Sequence, residues 1–147
     1  MLTDVIAAPA TPLGQSAIAV FRLSGRDAHQ VAASVLQPFE TVPARTARRT
    51  KLVHPTDGEL LDEVVYVSYD GPRSYTGEDM VEISTHGGVL VPREVFAALL
   101  RAGAREALPG EFTRRALLNG KIDLLQAEAV GDLVAATAPV QRKAALD

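Results

Sequence analysis

The alternation of apolar and polar positions predicts two units in which a β-strand, a turn and an amphipathic helix follow one another. The first unit opens with an apolar, β-rich run over residues 17–23, in which Arg22 shares a strand face with apolar neighbours. Ser24 and Asp27 then stand at the spacing of a helix start signal, and Pro38 ends the helical pattern. The predicted buried positions of this helix are Ala28, Val31, Ala32, Val35 and Leu36.

The second unit repeats this order further along the chain. Its strand is predicted over residues 80–85, where Glu82 interrupts the β-rich run as the arginine does in the first unit. We expect residues 86–88, His-Gly-Gly, to break the strand. Pro92 stands where the first turn of a helix tolerates proline, and Gly103 is a typical helix terminator. The apolar positions of this helix are Val95, Ala98, Leu99 and Ala102.

The chain between the two units is predicted to contain a loop and a β-hairpin. Residues 37–54 have no clear period and are interpreted as a loop followed by a strand. Asp57 and Gly58 are typical of a tight hairpin turn, and residues 60–69 form the returning strand. A polar loop over residues 74–79 leads into the second unit. The segment over residues 37–54 also carries a basic cluster, which consists of Arg45, Arg48, Arg49 and Lys51.

Towards its end the pattern of the chain becomes helical. We expect a short helix over residues 111–118 and a second helix that Asp123 and Gln126 cap, with Pro139 bending or ending it. Because the apolar stripe of the second helix has no partner in the chain, we interpret the chain as a fragment cut inside a helical region that begins near Ile122. For the same reason we expect this fragment to self-associate. The stripe comprises Leu125, Ala129, Leu133, Ala136 and Val140.

Length and composition are those of a single globular domain. The 147 residues are 47% hydrophobic and 22% charged, which argues against a disordered chain. A net charge of -3 creates no overall positive field, so any contact with RNA has to be local. Cysteine is absent, the three histidines share no metal-ligand spacing, and no apolar run reaches the ~18 residues of a membrane span. We therefore expect a soluble, cytoplasmic protein without a disulfide, a metal site or a membrane contact.

Common catalytic motifs are missing from the sequence. Gly120 and Lys121 are followed by Ile122 instead of serine or threonine, so the phosphate-binding loop of P-loop NTPases is absent. No G-x-S-x-G, H-E-x-x-H or G-x-G-x-x-G motif occurs. These absences argue against NTPase, serine hydrolase, zincin and Rossmann-type chemistry in this chain, and they leave no candidate catalytic residue.

Three charged residues stand out against their surroundings: Arg22, Glu82 and Lys121. A charge inside a half-buried strand costs several kcal/mol unless it is paired or faces a ligand. Arg22 and Glu82 therefore form either a structural ion pair between adjacent strands or part of a ligand site, and periodicity does not separate the two. The His-Gly-Gly segment is either a tight turn or an anion-binding backbone. The basic cluster is either a solvated edge strand or a contact to RNA phosphates.

Five segments of the chain form a linked set of motifs. They are DVIAAPATPLG at residues 4–14, AIAVFRLSG at 17–25, SYTGED at 74–79, Glu82 with HGG at 86–88, and PGEFTRRALLNGKIDLLQAEA at 109–129. Together they resemble the N-terminal part of the tRNA-modification GTPases of the MnmE (TrmE) family. The resemblance covers nearly the whole chain in order, and only residues 37–69 add nothing to it.

The resemblance implies an α+β fold with a mixed or antiparallel sheet, similar to the tetrahydrofolate-binding domain of aminomethyltransferases, followed by the first helix of a helical domain. Residues 1–120 would form an N-terminal folate-binding and dimerisation domain, and residues 121–147 would begin the central helical domain. The GTPase domain of the family lies outside this chain, together with its GTP, potassium and magnesium. The chain is therefore not expected to hydrolyse GTP.

The resemblance also implies a ligand and partners. The family binds a 5-formyl-tetrahydrofolate-type one-carbon donor, and the matching contact positions are Arg22, Glu82 and Lys121. A carboxylate such as Glu82 can accept the cyclic N–H and the exocyclic amine of a pterin together, while Arg22 and Lys121 would hold carboxylates or carbonyl oxygens of the folate. The whole protein would dimerise through this domain and, with MnmG (GidA), modify carbon 5 of the wobble uridine of tRNA. The alternative is a purely structural dimerisation module in which Arg22 and Glu82 form an ion pair.

Overall fold

The computed structural model describes residues 4–11 and 14–135. These residues form seven strands and four helices in an α+β arrangement, which confirms the expected fold class. The strands are β1 (Ile6–Pro9), β2 (Gly14–Ser24), β3 (Leu36–Gln37), β4 (Arg48–Val53), β5 (Leu60–Tyr69), β6 (Met80–Gly88) and β7 (Arg105–Glu106). The helices are α1 (Ala28–Val35), α2 (Leu90–Arg101), α3 (Glu111–Leu118) and α4 (Leu124–Ala135). Both predicted strand–turn–helix units are present, as β2 with α1 and as β6 with α2.

The strands form one mixed sheet in the order β3-β4-β5-β6-β2-β1-β7. Neighbouring strands are antiparallel except β1 and β7, which run parallel. The two strands that carry an interior charge, β2 and β6, are neighbours, and their register places Arg22 directly opposite Glu82. On the other side of β6, Val67 of β5 is the partner of Glu82. The two charges therefore meet in the middle of the sheet.

One face of the sheet carries the hydrophobic core. The apolar sides of α1 and α2 pack on alternate residues of the central strands. Because successive side chains of a strand point to opposite faces, this packing places Arg22 and Glu82 on the other face. The core contains Ala19, Phe21, Leu23, Val64, Tyr66, Val81 and Ile83 from the strands, and Ala28, Val31, Ala32, Val35, Val95, Ala98 and Leu99 from the helices.

The opposite face of the sheet is open at one end and covered at the other. Val65 is exposed on the open part. The loop over residues 70–79, which joins β5 to β6, covers the other part together with α3. The hydroxyl of Ser24, in β2, lies 2.7 Å from the hydroxyl of Thr76 in this loop, and both residues are fully buried. The covered end of the face is where a binding cleft forms.

Three local predictions are wrong. Helix α1 begins at Ala28, and Ser24 does not cap it, because the Ser24 hydroxyl contacts the hydroxyl of Thr76 in the loop. The N-cap residue is Asp27, and its side chain makes no cap hydrogen bond. Strand β6 is not broken at the His-Gly-Gly segment but pairs with β2 as far as Gly88. The backbone N–H of His86 donates to Oδ2 of Asp62 at 2.8 Å. Strand β4, which carries most of the basic cluster, is not an edge strand, since β3 pairs with part of it.

The helical end of the chain agrees with its pattern as far as it is described. The N–H of Asp123 donates to Oε1 of Gln126 at 2.9 Å, and the N–H of Gln126 donates to Oδ1 of Asp123 at 2.7 Å, so the predicted cap is confirmed. Leu125 of the apolar stripe is 76% exposed. Within residues 4–11 and 14–135, no helix combines the length and the apolar character needed to cross a membrane. Four predicted positions lie outside the described side chains: Leu133, Ala136, Pro139 and Val140.

Candidate functional site

A cleft of about 530 Å³ opens on the covered end of the sheet face. This volume is within the range of ~300–1,000 Å³ that is typical of small-molecule sites. Arg22 from β2, Glu82 from β6 and Lys121, which follows α3, all line the cleft, so the structure brings the three predicted binding residues together. The other lining residues are Arg45, Tyr69, Arg73, Ser74, Tyr75 and Met80.

Glu82 lies between two hydrogen-bond donors on the wall of the cleft. Nε and Nη2 of Arg22 donate to its Oε2 at 3.1 and 3.0 Å, and the hydroxyl of Tyr69 donates to its Oε1 at 2.9 Å. The sheet explains these contacts, because Arg22 is the cross-strand partner of Glu82 and Tyr69 ends the neighbouring strand β5. Burial of the phenol, together with its hydrogen bond to Glu82, raises the pKa of Tyr69 above its usual value. Tyr69 therefore remains a hydrogen-bond donor at neutral pH.

The guanidinium of Arg22 lies against two aromatic rings. Its Cζ is 5.6 Å from the centre of the Tyr75 ring and 5.7 Å from the centre of the Phe112 ring, within the ~6 Å reach of a cation–π interaction. The hydroxyl oxygens of Tyr75 and Thr113 are 2.9 Å apart and join the loop to α3. The side chains of Arg22 and Glu82 keep exposed fractions of 30% and 27%. The ion pair therefore forms, and it faces the cleft instead of the core.

Lys121 is held at the cleft by contacts at the end of α3. Its N–H donates to the carbonyl of Ala116 at 2.8 Å, and the side-chain amide of Asn119 donates to the carbonyl of Thr76 at 2.8 Å. Gly77 has a φ of +84°, and a Cβ added to it would lie 3.2 Å from Cγ of Lys121. Glycine at this position both adopts the left-handed backbone and lets the loop approach the lysine stem closely.

A buried ionic cluster fixes α3 and the loop in position. Arg115 is 1% exposed, and its guanidinium donates to Oδ1 of Asp4 at 2.7 Å, to Oε1 of Glu78 at 3.1 Å and to Oε2 of Glu111 at 3.4 Å. Arg105 contacts Asp4 and Glu111 from a more exposed position. A hydrogen bond from Arg105 is the main cause that lowers the pKa values of both Asp4 and Glu111 to about 2. A hydrogen bond from Arg115 adds to this effect at Asp4, whereas the N–H of Leu108 and the charge of Arg115 add to it at Glu111. The cluster links the N-terminal segment, the loop and α3, and its residues were not singled out in the sequence.

Comparison with known proteins assigns the family. The sequence profile described as GTP-binding protein TrmE N-terminus matches residues 5–121. The chain belongs to this TrmE N-terminal family.

Three curated relatives, each named tRNA modification GTPase MnmE, are longer than this TrmE-family chain. The relative from Streptococcus suis is 47% identical over 135 residues, covering 90% of this chain and 30% of the relative. The relative from Moorella thermoacetica is 47% identical over an alignment of 152 residues, covering 100% of this chain and 33% of the relative. The relative from Carboxydothermus hydrogenoformans is 45% identical over 150 residues, covering 99% and 32%. The chain therefore spans about a third of the length of these relatives.

Sequence reasoning found the strand-borne charges of this TrmE-family chain and missed most of the residues that complete the cleft. The sequence indicates Arg45 only as part of the basic cluster and does not indicate Arg73 at all, because both lie in loops, where no periodicity relates a residue to the strands of the site. Tyr69 carries a usable signal, because strand alternation places it with Val67 on the same face of the sheet as Glu82. Combining that alternation with the predicted strand pairing would have placed Tyr69 near Glu82.

The basic cluster of the chain does not form one surface. Arg45 lines the cleft around Glu82, whereas Arg49 lines a separate cleft on the open part of the sheet face. Arg48 pairs with Glu40 at 3.4 Å. Residues that are close in the sequence are therefore directed to different parts of the TrmE-family domain.

A group of possible metal ligands lies at the base of the loop. His29, Asp70 and Asp79 offer ligand atoms within 4.8 Å of one another, although the sequence predicted no metal site. Nε2 of His29 is 3.1 Å from the carbonyl of Tyr69, and the N–H of Gly71 donates to Oδ1 of Asp79 at 2.9 Å. The first contact ties α1 to the start of the loop, and the second joins the two ends of the loop to each other.

Proposed function

We propose that this chain is the folate-binding and dimerisation region of a tRNA-modification GTPase, and that it binds a 5-formyl-tetrahydrofolate-type one-carbon donor in the cleft. The observation that carries the proposal is the convergence of Arg22, Glu82 and Lys121 on this cleft from three separate parts of the chain. A carboxylate flanked by cations suits a folate, whose pterin presents adjacent N–H groups and whose glutamate presents carboxylates. The relatives, each named tRNA modification GTPase MnmE, support the tRNA-modification setting.

Glu82 is the residue that we expect to recognise the pterin. A carboxylate offers about four lone-pair sites, and Tyr69 and Arg22 together occupy three of them. To accept from both the cyclic N–H and the exocyclic amine of the pterin, Glu82 needs one free lone-pair site on each of its two oxygens. Oε1 keeps a site beside the Tyr69 contact, whereas Oε2 accepts twice from Arg22. Ligand binding therefore requires Arg22 to release one of its two hydrogen bonds and to turn that N–H towards the ligand.

A structural ion pair is the competing role for Arg22 and Glu82, because the two side chains are 3.0 Å apart. Their partial exposure limits what the pair contributes to stability, since exposed pairs contribute only about 0–1 kcal/mol. The double variant Arg22→Met/Glu82→Leu is therefore expected to unfold at nearly the parental temperature and to lose folate binding. Unchanged folate affinity in this double variant, with stability equal to or above that of the parent, supports the purely structural module instead.

Isothermal titration calorimetry with 5-formyl-tetrahydrofolate tests the proposal. Glu82→Gln keeps the side-chain shape but replaces one accepting oxygen with an N–H donor, so affinity is expected to fall by about 1–3 kcal/mol, or about 5- to 150-fold. Glu94→Gln is the matched control, because Glu94 is exposed on α2, on the far side of the sheet, and this variant should bind like the parent. A folded parent chain that gives neither heat nor thermal stabilisation with saturating folate contradicts the proposal.

The remaining expectations concern the full-length protein. We propose a domain boundary near residue 120, with the following residues beginning a helical domain, and a fold related to the tetrahydrofolate-binding domain of aminomethyltransferases. Because the chain spans about a third of its relatives, GTP hydrolysis with its potassium and magnesium is assigned to the remainder of that protein. There we expect a cytoplasmic homodimer, joined through this domain, that acts with MnmG (GidA) on the wobble uridine of tRNA.

A further inference from the structure

Three cations in the cleft have no carboxylate partner in the part of the chain that the structure describes. Arg45, Arg73 and Lys121 line the cleft, and none of their side chains makes an ion pair or a hydrogen bond with another described residue. Among the lining residues the one carboxylate is Glu82, which is already paired with Arg22. The lining thus has an excess of three positive charges in a chain whose net charge is -3. A local excess of this size indicates an anionic ligand.

Arg45 is placed at the cleft by an unfavourable backbone conformation. Its φ is 63°, and among the described residues it is the one non-glycine residue with a positive φ. The Arg45 N–H donates to the carbonyl of Ser68 at 2.7 Å, which holds the residue beside the end of β5. Arg45 and Tyr69 line the same cleft, and the positive charge of Arg45 opposes the rise in the pKa of Tyr69. Glycine would adopt this backbone more easily, and the presence of arginine indicates a role for its side chain.

Arg73 belongs to a loop that is held by hydrogen bonds other than those of its own side chain. The Arg73 N–H donates to the carbonyl of Asp70 at 2.8 Å, and the N–H of Gly71 donates to Oδ1 of Asp79 at 2.9 Å. The guanidinium of Arg73 is therefore not needed to hold the loop, and it is exposed at the cleft.

We propose that Arg45 and Arg73 bind a poly-γ-glutamyl tail, so that the preferred ligand of this cleft is a folate with several γ-linked glutamates. This inference rests on the folate binding proposed above and specifies the other end of the ligand. With Arg22 and Glu82 engaged at the pterin, three cations remain for the tail. A single glutamate supplies two carboxylates, and each further γ-linked glutamate adds one, so a tail of two or more glutamates supplies at least one carboxylate for each of the three remaining cations. Arginine suits this role because its planar fork binds a carboxylate through two parallel hydrogen bonds.

The test compares 5-formyl-tetrahydrofolate carrying one glutamate with the same compound carrying three, by calorimetry on the folded chain. The parent is expected to bind the triglutamate about 10-fold more tightly, and this preference should shrink as ionic strength rises. In Arg45→Gln/Arg73→Gln most of the preference is expected to disappear, while affinity for the monoglutamate falls by a smaller factor. Arg93→Gln is the matched control, because Arg93 is exposed on α2, on the far side of the sheet, and this variant should keep the preference.

The possible outcomes separate this inference from the folate site itself. Equal affinities of the parent for the two ligands overturn the role of the tail and leave the folate site standing. A preference that persists in the double variant overturns the assignment to Arg45 and Arg73. If neither ligand binds, the result contradicts both the folate site and the proposed binding of the tail. If circular dichroism shows that the double variant is unfolded, the single variant Arg73→Gln replaces it, because this change leaves the backbone of Arg45 unchanged. Arg73→Gln is expected to lose part of the preference for the triglutamate. An undiminished preference in this variant overturns the proposal.

Discussion

Replacing Arg115 with methionine is expected to destabilise the fold strongly, because this guanidinium is the buried centre of the ionic cluster. Arg115 is 1% exposed and donates to Asp4, Glu78 and Glu111. Methionine fills much of the same space but offers no N–H donor. Arg105 remains beside Asp4 and Glu111 in this variant, whereas Glu78, whose side chain is 13% exposed, loses Arg115 as its cationic partner. The variant thus leaves a largely buried carboxylate that keeps the hydrogen bond from the Ser24 hydroxyl but has lost the guanidinium that balances its charge.

The burial of the Glu78 carboxylate determines how much stability Arg115→Met is expected to lose. Breaking a buried ion pair by removing one partner costs about 3–5 kcal/mol, and the free energy of unfolding of Arg115→Met is expected to fall by this amount. For a chain of 147 residues the corresponding drop in Tm is roughly 10–15 °C. Arg114→Met is the matched control, because Arg114 is exposed on the same helix and its replacement should change the free energy of unfolding by less than about 0.5 kcal/mol.

Urea denaturation followed by circular dichroism measures these changes as shifts of the midpoint at constant m-value. Glu78→Gln removes the carboxylate charge that Arg115→Met leaves unpaired. The double variant is therefore expected to be at least about 1 kcal/mol more stable than the sum of the two single losses predicts. Strictly additive losses, or a loss in Arg115→Met no larger than in Arg114→Met, would refute the role assigned to the buried cluster.

Two further predictions concern the loop and the response to acid. Gly77→Ala places a Cβ 3.0 Å from Cβ of Asn119 and 3.2 Å from Cγ of Lys121, so it is expected to displace both side chains and weaken folate binding. Gly58→Ala, also at positive φ but with open space around it, should lower stability alone. Calorimetry on the two variants separates these effects, and equal folate affinities contradict the packing argument. Asp4 and Glu111 have folded-state pKa values of about 2, below their ordinary values of 3.8 and 4.5, so their stabilisation is present above about pH 5 and is lost as the pH falls towards 2. Denaturation midpoints should decline across this window, and a constant midpoint contradicts the assignment.

The strands that build the site were predictable because each carries its own apolar alternation. The sequence identified the strands around Arg22 and Glu82 and the helix that follows each of them. It did not determine that these strands are neighbours in a register that places the two charges opposite one another. That register depends on pairing between segments about sixty residues apart, which local periodicity does not encode.

The unpredicted elements depend on tertiary contacts. Strand β7 has two residues and exists only as the parallel partner of β1, which itself has four residues and ends at a proline. Ser24 carries a helix start signal, but its burial against Thr76 gives the hydroxyl a different partner. Arg45 and Arg73 reach the cleft through loop conformations, so their part in the site became visible only from the structure.

Pairing between Glu82 and a pterin is tested most directly by a crystal structure of the chain grown with 5-formyl-tetrahydrofolate. We expect the pterin to donate its cyclic N–H and exocyclic amine to the two oxygens of Glu82, with Arg22 giving up one of its present hydrogen bonds to Oε2. Density for the folate at another place on the molecule, or an empty cleft at saturating folate with Glu82 still bound only by Arg22 and Tyr69, would contradict the proposed function.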